Sequence, residues 1–141
     1  MATADEVGTK LIALSCATAW GTDIFIDQQP ATPDVIVTVN NSGGGPSEFV
    51  FGSAVIDREM PALQIIFRGA EFDGDGPRAT AQTAFEGLAQ VVATTLTDTD
   101  TTSAFYHHIR PLHPPVMLVE RDEKNRTTWV LNVDIEKELS A

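Results

Sequence analysis

The chain has 141 residues, 43% of them apolar, and twenty acidic side chains face nine basic ones for a formal net charge of −11. That length fits one domain, 1–141, able to bury roughly 68–70% of its unfolded surface without a metal or disulfide staple. So acidic a balance excludes a reader of phosphate backbones, which needs clustered Lys and Arg, and the single cysteine, Cys16, excludes an internal disulfide and a cysteine-built metal site.

Residues 3–20 carry Val7, Leu11, Leu14 and Thr18 at helical spacing, with Ile12, Cys16 and Trp20 beside them. Asp5 and Glu6 suit the positive end of that helix, and Gly21 is a natural stop. Gly8 weakens the first turns by roughly 1 kcal/mol relative to alanine, which predicts fraying there. Cys16 falls in the apolar pattern and reads as a small buried hydrophobe. The acidic start does not resemble a signal peptide, and no run approaches the ~20 apolar residues of a membrane span, so the expectation is a chain folded in a cytoplasm.

Ile24 to Ile26 is a short extended piece, and Gln28 to Pro33 is a turn or extended connection. Asp34 to Asn40 is rich in β-branched residues and predicts a strand. Asn41 to Pro46, with Gly43, Gly44 and Gly45, reads as a mobile turn. No Lys-Ser/Thr pair follows the glycines, so they do not make a phosphate loop. Phe49, Val50 and Phe51 read as a short return strand, and Asp57, Arg58 and Glu59 as an exposed corner.

Leu63, Ile65 and Phe67 share one face of the next strand. Gly69 marks a bulge or a close backbone approach. Glu71, Asp73 and Asp75 then sit among glycines in the manner of half an EF-hand, but the twelfth loop position from Asp73 is Ala84, which cannot supply the bidentate carboxylate. A helix start fits better, with Asp75 or Gly76 as cap and Pro77 in the first turn. The apolar stripe Ala81, Ala84, Phe85, Leu88, Val91, Val92, Leu96 predicts a helix of about 30 Å. Thr97 to Thr102 is a polar connector. Strands follow over Ser103–Arg110, Val116–Val119 and Thr127–Ile135, separated by a proline-rich corner and a charged turn.

The element order predicts an α+β domain: a mixed or antiparallel sheet with two main helices on one face and a C-terminal three-stranded meander. No constellation carries chemistry. His107 and His108, adjacent on a strand, are expected on opposite faces, and His113 lies in the proline corner, so three zinc ligands do not converge. There is no G-x-S-x-G nucleophile. No catalytic, cofactor or metal residue is assigned. Trp20 and Trp129 read as core residues, with interface anchoring as the alternative. Arg68 and Arg78 flank the acidic turn, either in an internal ion pair or in contact with an acidic neighbour. The candidate assembly surface is Gly43, Gly44, Gly45, Arg68, Glu71, Asp73, Asp75 and Arg78.

PDVIVTVNNSGGGP at Pro33–Pro46, PALQIIFRG at Pro61–Gly69, the alanine-rich helix after Pro77 and TTWVLNVDIE at Thr127–Glu136 resemble the tail terminator proteins of tailed bacteriophages, a family that includes minor capsid proteins. The resemblance covers about residues 3–138. It implies a structural, non-enzymatic, cofactor-free virion protein of the tail or neck, assembled in the host cytoplasm. It implies a homo-oligomeric ring, usually of six subunits, that stops tail-tube polymerisation and meets the head connector protein. DNA would pass through the ring without specific binding and without any membrane contact. Residues 1–100 hold fourteen acids and four bases, a net of −10, and an acidic lining would repel phosphate. The chain departs from the family pattern at the glycines 43–45 and at His107-His108. Loops 41–47 and 71–76 are expected to order on assembly. The alternatives are another neck or head-completion protein, or an unrelated small ligand-binding or enzymatic α+β domain.

Overall fold

A computed structural model describes residues 3–49, 56–118 and 121–138, with side chains described outside 44–49 and 56–57. The elements are α1 (Thr3–Ala13), β1 (Ile24–Ile26), β2 (Ile36–Phe49), β3 (Ile56–Glu71), α2 (Asp75–Ala89), β4 (Val92–Thr97), β5 (Ser103–Pro111), β6 (Val116–Met117) and β7 (Arg126–Glu138). They form one sheet in the order β1-β2-β3-β7-β5-β4. β5 and β6 both lie against β7, and β1 runs parallel to β2 while the other pairings are antiparallel. The sheet is therefore mixed, as expected for this α+β class.

Both helices cover one face. Val7 and Leu11 of α1 and Ala81, Ala84 and Leu88 of α2 join Val37, Val39, Leu63, Ile65, Phe67, Leu131, Val133 and Ile135 in one buried cluster. Alternation explains the strand contributions: Leu63, Ile65 and Phe67 stand opposite Val133, Leu131 and Trp129, so each pair presents its side chains to the helices together. Each such aliphatic or aromatic side chain contributes about 1.5–3 kcal/mol when fully removed from water.

Several boundaries differ from the sequence expectation. α1 ends at Ala13 rather than residue 20, because Ser15 enters the left-handed region (φ 64). The Cys16 N–H then donates to the Leu11 carbonyl at 2.9 Å, closing the helix end as a Schellman motif without glycine. The freed segment is held by Asp23 Oδ1, which accepts from the Thr18 and Ala19 N–H groups. Gly8 does not fray the helix: it is buried, and a Cβ there would lie 2.3 Å from the Trp20 ring, so its bare backbone is the seat of that indole.

α2 stops at Ala89, and Val92–Thr97 is strand β4 paired with β5, not more helix. Val91, Val92, Thr94, Thr95 and Thr97 are β-branched, and the register of Val92 with His108 and Leu96 with Ala104 recruits them to the sheet edge. The glycines at 43–45 are not a turn: β2 runs through them, with Gly44 and Gly45 opposite Pro61 and Met60 and register shifts on either side. Asp57, Arg58 and Glu59 accordingly lie inside β3, not at a corner. Phe49 is the last residue of β2, and Val50 and Phe51 lie outside the described residues.

Candidate assembly surface

The β3–α2 turn is built by close approaches that exclude side chains. At Gly69 a Cβ would lie 2.6 Å from Pro77 Cγ, so the strand end and the helix start touch directly. The N-cap position is Gly74, not Asp75 or Gly76, and the capping carboxylate comes from the preceding Asp73: its Oδ1 accepts the N–H groups of Asp75 (3.1 Å) and Gly76 (3.0 Å). A Cβ at Gly76 would lie 2.3 Å from Asp73 Oδ2, so the glycine makes room for the cap. The Asp73 carbonyl accepts from Thr127 Oγ1 at 2.7 Å, tying the turn to β7. Between these fixtures Phe72 adopts φ 59 and is 72% exposed, its N–H donating to the Asn125 carbonyl at 3.0 Å.

Arg68 faces away from the helices and is buried under residues 30–34. Its Nε donates to the Asp34 carbonyl at 2.9 Å, and one terminal nitrogen donates to the Pro30 and Pro33 carbonyls at 2.7 Å each. Arg126 works beside it, donating to the Ala31 carbonyl (2.7 Å), Asp34 Oδ1 (3.1 Å) and Asp122 Oδ2 (2.6 Å). Burial lowers the Arg68 pKa, and neighbouring Arg126 adds to this, while Asp122 and Asp34 oppose both. For Asp122, burial raises the pKa, but hydrogen bonds from the Arg126 backbone and side chain and the Lys124 backbone outweigh it and hold the carboxyl below its usual range.

The surface read from the sequence thus separates into parts. Glu71, Asp75 and Arg78 are exposed around one turn. Asp73 and Arg68 share that turn, but their polar atoms are engaged within the chain. Gly43 is exposed with φ 92, and Gly44 and Gly45 pair with Met60 and Pro61, roughly 30 Å of strand from Glu71 along β3. The structure therefore does not bring the glycines to the acidic turn. Phe72 was missed, although an aromatic between two acids in a glycine-rich turn is a legible oddity.

The histidines also depart from expectation. A bulge between Tyr106 and His108 sets Tyr106 opposite Lys137 and His108 opposite Glu136. Tyr106 and Ile109 are both core residues, so His107 and His108 between them share the helix-free side instead of pointing to opposite faces. His108 Nε2 lies 3.1 Å from Glu136 Oε2, and Arg58 donates to the other oxygen at 2.6 Å. His113 Nε2 accepts from Asn132 Nδ2 at 3.0 Å. Among the described residues no group of three His, Cys, Asp or Glu is placed to hold a metal ion.

A buried polar network at the opposite end of the sheet had no sequence signal. Lys137 Nζ donates to Glu6 Oε1 at 2.5 Å and to Thr3 Oγ1 at 3.2 Å, and lies 5.2 Å from the Tyr106 ring centre. The Tyr106 hydroxyl donates to the same Glu6 oxygen at 2.9 Å. Burial, then the Glu6 charge and hydrogen bond, push the phenol far above its ordinary pKa, so it remains a donor. Burial likewise pushes the Cys16 thiol up to about 11. Among the described residues no helix is long and apolar enough to cross a membrane.

Comparison with known proteins places these features. Residues 11–139 match the family model of the bacteriophage tail terminator protein. A solved chain of the virion of a native gene transfer agent particle superposes with TM-score 0.60 at 16% identity, covering 98% of this chain and 96% of that one. A second solved chain superposes with TM-score 0.51 at 9% identity over 100% of this chain and 99% of its own length. No curated protein matches.

Proposed function

The chain belongs to the bacteriophage tail terminator family and is a structural tail protein of the virion, and we propose that it closes into a homo-oligomeric ring that caps the tail tube. In this reading the ring, of six subunits, ends tube polymerisation on one face and meets the head connector protein on the other. Assembly takes place in the host cytoplasm, and the protein performs no catalysis and takes no cofactor. The observation that carries the reading is the family match across residues 11–139, nearly the whole chain. The exposed turn with Glu71, Asp75 and Arg78 is the proposed subunit contact, and Gly43 to Gly45 a second contact point on β2. The net charge of −11 supports passage of DNA without capture.

The test is tube growth in vitro. Tail-tube protein polymerised with this chain should give tubes of limited length with discs at one end by negative-stain imaging, while tube protein alone grows on. Tubes of unchanged length and bare ends would reject the cap. Binding to a connector ring but not to tubes would favour a neck or head-completion protein instead.

A further inference from the structure

Phe72 buries little of its side chain against the described residues. The residue is 72% exposed, and at φ 59 its backbone is in the left-handed region, where a bulky side chain is disfavoured relative to glycine or asparagine. The turn nevertheless holds it there, through the Asn125 carbonyl on one side and the Asp73 cap on the other. Glu71 and Asp75 leave the flanks of the ring negative.

A complementary socket exists elsewhere on the same chain. The groove between α1 and the edge strand β4 has a volume of about 250 Å³ and is lined by Thr9, Lys10, Ala13, Thr95 and Leu96 among others, and by Glu6, whose charge is already paired with Lys137. That is below the roughly 300–1,000 Å³ of small-molecule pockets and of a size for one aromatic side chain. Ala13, Leu96 and the threonines supply the walls, and Lys10 supplies a positive charge for Glu71 or Asp75. Through Leu96↔Ala104, Tyr106↔Lys137 and Lys137↔Glu59, the groove lies level with the start of β3, whereas Phe72 follows its end, roughly 40 Å of strand away. No copy can fill its own groove. A contact between these two patches is heterologous, the kind that closes a ring by rotation.

We infer that Phe72 of one copy seats in the α1–β4 groove of the next, with Glu71 or Asp75 against Lys10. This rests on the ring reading and names its subunit contact. In the purified full chain, Phe72→Gly should leave Tm unchanged or raise it by roughly 2–4 °C, because the strained position is relieved. The same variant should raise the concentration for half-assembly, read by light scattering, at least tenfold. Lys10→Glu should weaken assembly several-fold, with rescue by Glu71→Lys plus Asp75→Lys. In a Cys16→Ala background, Phe72→Cys with Thr95→Cys should form an inter-subunit disulfide in assembled material. Unchanged assembly of Phe72→Gly, or rings without that disulfide, would overturn the contact and leave the ring reading standing. A wild-type chain that assembles neither alone nor on tube ends would reject both.

Discussion

The α1–β7 junction and the β3–α2 turn place side chains against their chemistry in opposite senses. At the junction two charged groups, Glu6 and Lys137, are each 1% exposed, yet every polar contact they make is inside the chain. At the turn an aromatic ring stands in solvent among carboxylates. A buried charge is tolerable only when its partners are present, and here they are. An exposed aromatic at a positive φ buries little against the described residues, which is why the proposed subunit contact is built on it. The first region explains itself as fold, and the second is the one the proposed contact would explain.

That comparison can be broken at several points. Lys137→Met leaves the Glu6 carboxylate buried without its counter-ion and should cost about 3–5 kcal/mol in urea unfolding, whereas the triple change Glu6→Leu, Tyr106→Phe and Lys137→Met, which also removes the hydroxyl that donates to Glu6, should be near neutral. A small effect of the single change would mean that the junction is solvated. Arg68→Met leaves three loop carbonyls without their donor and should cost roughly 1–3 kcal/mol, with faster amide exchange in residues 30–36. Gly8→Ala should cost about 1–3 kcal/mol by overpacking against Trp20, opposite in sign to the gain that helix propensity alone predicts. The smallest effect is expected at Asp122. Its folded pKa is depressed, so its contribution is present above the ordinary 3.8 of an aspartate and is lost as pH falls through the folded value. Asp122→Asn should therefore lower Tm slightly at pH 7, and the difference should close as the pH falls below the ordinary aspartate range.

How much of this was legible varies by element. β7 was read almost in full because Trp129, Leu131, Val133 and Ile135 alternate without interruption, and α2 because its apolar stripe follows a proline. The end of α2 was not legible: Val91, Val92 and Leu96 continue the helical spacing, and only the five pairs that β4 makes with β5 show that β-branching prevailed. The glycines 43–45 read as a turn because glycine permits one. A long β3 partner instead recruits them into the ladder, which no local signal announces.

By itself the sequence determined the α+β class and the helix-covered sheet face, since these follow from periodicities that repeat along its longer elements, while the family was legible only as a resemblance of segments such as Pro33–Pro46 and Thr127–Glu136. The tertiary structure alone decided which polar groups are interior. Arg68 and Lys137 look like surface cations in sequence, and both are buried because residues far along the chain, Pro30 to Asp34 and Thr3 to Glu6, bring acceptors to them. It alone also decided that Phe72 is outside. A carbonyl from Asn125 and a hydroxyl from Thr127 fix the turn, and neither is within reach until β7 has docked on β3.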